Sequence, residues 1–160
     1  MNKKLSATKD AILVPVDFSS YSEAALLFAA ELSTCLDADL VVLHVVHDPA
    51  EMPGYYQQVT KKKKLEKIED LAAELFDGFL HKLQAEHQDM AALQSAERLL
   101  VVGVPVTRIL EVVDKLKPRM VVMGSQGRTG LKHLLIGSKS EPIVKLCPVP
   151  VTIVKAKKKS

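Results

Sequence analysis

Cysteine is scarce in this chain and tryptophan is absent. The 160 residues hold two cysteines, Cys35 and Cys147. Two thiols so far apart form neither a disulfide framework nor a paired metal motif, and they read as small buried side chains in a reducing compartment. Long apolar runs are also missing: none approaches the roughly 18 residues that a membrane span requires. Residues 1–10 are polar and lack the apolar middle of a secretion signal, so the expected location is cytoplasmic, with no membrane contact. Charge of one sign is missing as well. The net charge of +3 comes from the ends, where Lys3, Lys4, Lys9, Lys155, Lys157, Lys158 and Lys159 face one acid, Asp10. Without that surplus of six, residues 11–154 stand at −3. No basic, aromatic-studded face emerges, so nucleic acid is not an expected partner.

What remains suits one globular domain. Hydrophobic residues make up 48% and charged residues 26% of the chain, enough apolar matter for a normal core and too much for disorder. The length fits one domain, placed at residues 10–155 between a polar tail of residues 1–9 and a basic tail of residues 156–160.

Residues 11–17 (AILVPVD) form a nearly continuous apolar run, the pattern of a strand buried on both faces. Ser20 and Glu23 then stand at capping-box spacing ahead of a helix whose apolar positions are Ala25, Phe28, Leu32 and Leu36. Residues 39–46 (DLVVLHVV) read as a second buried strand, and residues 49–60 as a loop. Leu65, Ile68, Ala72, Leu75, Phe79 and Leu83 predict a long amphipathic helix. A third strand is predicted at 98–103, and a helix from Pro105 that must stop by Pro118. A fourth strand at 120–123 ends on Gly124, and a short helical piece is predicted at 131–136. The last helix is expected from Ser138 to Leu146, with Glu141 at its capping-box position, and residues 149–154 (VPVTIV) close the chain as an edge strand marked by Pro150. Strand and helix alternate throughout, which predicts an α/β fold with a mainly parallel sheet, helices on both faces and right-handed crossovers.

In such sheets, ligands sit beyond the carboxyl ends of the strands. That rule singles out Asp17, just past the first strand, and Gly124, which opens the segment Gly124-Ser-Gln-Gly127-Arg-Thr-Gly130. Glycines there permit positive φ at a turn or let a ligand approach bare backbone. Gly137 and Ser138 open the last helix, where N–H groups and hydroxyls suit phosphate. The same residues also suit a turn and an ordinary helix cap, and the residues alone leave both readings open. Neither G-x-x-x-x-G-K-[ST] nor G-x-G-x-x-G occurs.

The spacing Gly124-x2-Gly127-x9-Gly137-Ser138 resembles the ATP-binding signature of the universal stress protein family, G-x2-G-x9-G-[S/T]. Ile12 to Ser19, the stretch Leu43-His44-Val45-Val46, Gly103-Val-Pro105 and Pro148-Val149-Pro150-Val151 are similar to that family too, so the likeness runs over residues 10–155. It implies an adenine nucleotide α-hydrolase-like (Rossmann-like) sheet of five strands in the order 3-2-1-4-5. It also implies a homodimer through the edge of the fifth strand, and ATP with Mg²⁺ as ligand. Carried over position by position, Pro15, Val16, Asp17 and Val45 surround adenine and ribose, with Asp17 accepting from sugar hydroxyls or helping to place the metal. Met123 and Gly124 line the nucleoside, while Gly127, Gly137, Ser138, Lys139 and Ser140 contact phosphates. Gln126 stands where the family often has histidine.

Other candidates are weaker. His44 and His47 point to opposite faces of an extended segment, which disfavours a shared metal. His81, His87, His133 and the lysines at 61–64 read as surface residues, and Tyr55 and Tyr56 as local loop packing. No Ser–His–acid or activated-thiol arrangement is recognisable. The expectation is therefore a stress-related regulatory protein whose ATP occupancy modulates conformation or the choice of a protein partner. The alternatives are an interaction module of the same fold that binds no nucleotide, and a slow Mg²⁺-dependent ATPase.

Overall fold

The computed structural model describes residues 10–47, 62–127 and 136–156, with side chains described from residue 68 onward in the first helix after the gap. Ten elements follow one another: β1 (Ala11–Val16), α1 (Ser20–Leu36), β2 (Asp39–Val46), α2 (Lys62–Glu86), α3 (Ala91–Gln94), β3 (Glu97–Val102), α4 (Pro105–Leu116), β4 (Met120–Gly124), α5 (Ser140–Leu146) and β5 (Val151–Val154). The sheet order is β3-β2-β1-β4-β5 and all four pairings are parallel. β1 is therefore central, and every one of its six residues is buried. β5 is an edge, as Pro150 predicts.

Alternation along the strands divides the core into two layers. Ile12, Val14, Val16 and Val42 pack with Ala25, Ala29 and Ala30 of α1, Phe76, Leu80 and Leu83 of α2, and Leu93 of α3. Leu13, Val41, Leu43, Val45 and Met123 pack on the other face with Ile109, Val112 and Val113 of α4 and Ile143 of α5. Each face of the sheet is covered, so its strands read as unbroken apolar runs.

The helices depart from expectation in detail. The cap of α1 is Ser19, not Ser20: its hydroxyl accepts from the Ser22 N–H at 3.2 Å, and Glu23 instead reaches Lys82 at 3.4 Å. The buried face of α1 is Ser22, Ala25, Leu26, Ala29, Ala30 and Ser33, which leaves Phe28 41% exposed. In α2 the core positions include Phe76 and Leu80, while Leu75 faces outward. α4 stops at Leu116 with Lys117 left-handed at φ 49°, because the residue before Pro118 is kept out of the helical region. α5 begins at Ser140, two residues later than expected, and its cap residue Lys139 makes no side-chain cap bond. α3 was not expected from the sequence; it is one turn that drives Leu93 fully into the core. The loop at 49–60, nearly all of the helical piece at 131–136, Gly130, His133, Tyr55, Tyr56 and the side chains of the lysines at 61–64 lie outside what is described.

Candidate functional site

The carboxyl ends of β1 and β4, adjacent in the sheet, bring the principal candidates together. Beyond Val16 the chain turns sharply into α1. Phe18 takes φ 65° there, a conformation that costs a non-glycine residue about 1–2 kcal/mol. Its ring stacks on His44 with centroids 4.2 Å apart, and Phe79 and Phe76 surround it at 5.4 and 6.0 Å. His44 Nδ1 donates to the Val16 carbonyl at 2.8 Å, which pins the end of β1 to β2. This aromatic packing offsets the backbone cost at Phe18.

Asp17 sits in a closed ring of hydrogen bonds. Its Oδ1 accepts from the Ser19 N–H at 3.1 Å, an Asx turn, and from the Ser19 hydroxyl at 2.5 Å. Its own N–H donates to Ser22 Oγ at 3.3 Å, and that hydroxyl donates to the Ser19 carbonyl at 3.0 Å. The second oxygen, Oδ2, faces Gly127: a β-carbon there would stand 2.7 Å from it. A side chain at position 127 would have to displace that carboxylate oxygen. The φ of Gly127 is not positive; among the described glycines that conformation belongs to Gly103, at 142°.

Gly124 is also bare for a packing reason, since a β-carbon would meet the Tyr21 backbone at 2.8 Å as α1 crosses β4. The two arms of the glycine segment are tied together. Gly137 N–H donates to the Ser125 carbonyl at 2.7 Å, and Ser140 Oγ donates to the Gly124 carbonyl at 3.0 Å. Ser140 is buried and its proton is committed to that bond, whereas Ser138 and Lys139 are exposed. Lys139 Nζ lies 2.9 Å from His47 Nε2, at the end of β2.

The apolar candidates divide between layers. Pro15, Val45 and Met123 share the face of Leu13, Val41 and Val121, where Val45 and Met123 are buried. They can form one apolar floor at the strand ends. Val16 belongs to the opposite layer, and its carbonyl already accepts from His44. Three residues at or beside the site were missed by sequence reasoning: Ser19, Phe18 and His47. The Asp17-Phe18-Ser19 spacing does carry an Asx-turn signal for Ser19. No local signal places His47 beside a lysine 92 positions away. Among the described residues, no group of three or more His, Cys, Asp or Glu side chains could hold a metal ion, and no helix is long and apolar enough to cross a membrane.

Comparison with known proteins matches residues 9–155 to the universal stress protein family. The chain belongs to that family. A relative, Universal stress protein MJ0531 of Methanocaldococcus jannaschii, is 31% identical over 148 residues, 92% of this chain and 83% of its own. The solved structure of protein MJ0577 superposes with a TM-score of 0.68 at 26% identity, over 94% of this chain and 99% of that one. The universal stress protein of Archaeoglobus fulgidus in complex with dAMP superposes with a TM-score of 0.58 at 21% identity, over 91% and 98%. The likeness bears out the α/β fold, with its five-stranded parallel sheet in the order β3-β2-β1-β4-β5.

Proposed function

We propose that this universal stress protein is a regulatory domain that binds ATP with Mg²⁺ at the carboxyl ends of β1 and β4, and that occupancy alters its conformation or its partner. The observation that carries the reading is the meeting of Asp17 with the bare backbone of Gly127. It puts a positioned carboxylate, suited to sugar hydroxyls, beside a backbone that phosphates can approach. Pro15, Val45 and Met123 supply an apolar floor for a purine, and Gly137 and Ser138 extend the polar side of the crevice. The dAMP held by the Archaeoglobus fulgidus protein, whose fold is the same, supports an adenine nucleotide as the ligand class.

The donor set fits Mg²⁺ only as part of the nucleotide. Asp17 is one carboxylate, and Mg²⁺ characteristically combines one or two carboxylates with phosphate oxygens and water. The cation would supply charge neutralisation of the phosphates; Asp17 and the loop backbone orient them. Among the described residues β5 pairs on one side only, and its four residues are half-buried, which favours a second copy across that edge. Calorimetry with MgATP tests the proposal. One saturable site per chain is expected, and a folded protein that shows no binding up to millimolar ATP would instead be an interaction module of the same fold.

A further inference from the structure

The Lys139–His47 contact is unusual in what it joins. An ammonium group has no lone pair, so Lys139 Nζ must donate and His47 Nε2 must accept, which requires a neutral imidazole with its proton on Nδ1. A surface lysine ordinarily gains most from a carboxylate, as Lys145 does from Glu141 at 2.7 Å and Lys82 from Glu23. Lys139 is held by a neutral group, so its charge is oriented without being cancelled.

The place of the contact matters as much as its chemistry. His47 follows the last residue of β2, and Lys139 caps α5, whose first residue is bonded to the end of β4. In the sheet, β2 and β4 flank β1. The bond therefore links groups at the ends of the two strands that flank β1, on the side of the sheet where Pro15 and Asp17 end that strand. Two of the three ammonium protons remain for a ligand, and the next residues back are Ser138 and Gly137.

We infer that His47 is a positioning residue, which holds the Lys139 ammonium over the crevice as a counter-charge and makes the site select polyphosphate nucleotides over uncharged nucleosides. The inference rests on the nucleotide reading above and adds His47 to it. Adenosine would use the apolar floor and Asp17 but gain nothing from Lys139. A triphosphate would accept charge-assisted hydrogen bonds from an ammonium already in place, with less side-chain freedom left to lose.

Calorimetric affinities for ATP and adenosine, measured at one pH and ionic strength, test this in four variants. Lys139→Ala should lower ATP affinity about five- to tenfold, the range for a partly screened charge-assisted contact, and leave adenosine unchanged. His47→Ala should lower ATP affinity about threefold. His47→Gln should restore it, because the amide oxygen can accept from the ammonium as the ring nitrogen does. In a Lys139→Ala background, His47→Ala should change nothing further. An unchanged ATP-to-adenosine ratio in Lys139→Ala would overturn the inference while leaving nucleotide binding intact. So would a His47→Ala effect of equal size with and without Lys139, or a His47→Gln variant that stays as weak as His47→Ala. Parent protein that binds neither ligand would remove the nucleotide reading and this inference together.

Discussion

Asp17 Oδ2 and the α-carbon of Gly127 face one another so closely that a β-carbon on Gly127 would come within 2.7 Å of the carboxylate. Two segments more than a hundred residues apart are thereby matched in shape, and the match sits where adjacent parallel strands end. A side chain at position 127 would thus disturb Asp17 even though the backbone there has no positive φ.

Gly127→Val should therefore act through Asp17. The carboxylate must move, and two hydrogen bonds to Ser19 move with it. The expected loss in ATP affinity is about 1–3 kcal/mol, with the fold retained. Calorimetry beside circular dichroism checks it, and equal affinity in a folded variant would remove Gly127 from the phosphate path.

Asp17→Ala should weaken ATP by about 1–3 kcal/mol and also lower stability, since the Asx turn that feeds the α1 cap is lost. Ser19→Ala separates the two effects. It removes the cap, for about 1 kcal/mol of stability, and with it the hydroxyl bond to Asp17, but it keeps the carboxylate itself and the Ser19 N–H that the carboxylate accepts from. Thermal-shift titration with ATP should then show a lower starting midpoint but a largely preserved ATP response in Ser19→Ala, and a blunted response in Asp17→Ala.

Much of this was legible in the sequence. The apolar runs fixed β1, β2 and β4, because strands covered on both faces need no polar positions. The faces of α1 and α2 were less legible. Phe28 and Leu75 continue an apolar rhythm, yet the sheet takes Ala29, Ala30, Phe76 and Leu80. Small residues let α1 approach closely enough for Tyr21 to touch Gly124, and that approach is a tertiary choice. Val16 illustrates the same limit. It neighbours Pro15 and Asp17 in sequence, but period-two alternation puts its side chain in the other layer. The resemblance places Ser140 among the phosphate contacts. It is instead the buried first residue of α5, with its hydroxyl donating to the Gly124 carbonyl, a pairing across 16 positions that no local pattern signals.

His47 should make stability depend on pH. Burial first, then the Lys139 ammonium, then His44, hold its imidazole below the usual histidine range. The unfolded chain takes up this proton near pH of about 6.5, and the folded chain only at lower pH. The contribution is therefore present above about pH 6.5 and is lost as pH falls through the folded value. Urea unfolding at several pH values should show a shallower acid loss in His47→Gln than in the parent. Identical profiles would mean that His47 keeps its ordinary titration.

Assembly rests on the β5 edge. Thr152→Lys or Ile153→Lys would place like charges across a twofold axis and should shift a dimer toward monomers. Light scattering over a concentration series checks this, and a parent chain that stays monomeric at high micromolar concentration, with and without ATP, would exclude the β5 dimer.

The central claim is that an adenine nucleotide binds where Asp17 meets Gly127. Titrating ¹⁵N-labelled protein with MgATP and following the backbone amide resonances reads both binding and place. Saturable shifts concentrated at Asp17, Ser19, Gly127, Gly137 and Ser138, at the carboxyl ends of β1 and β4, are expected. Amides at that end that remain unmoved at saturating MgATP, or shifts gathered on another face of the sheet, would contradict the claim.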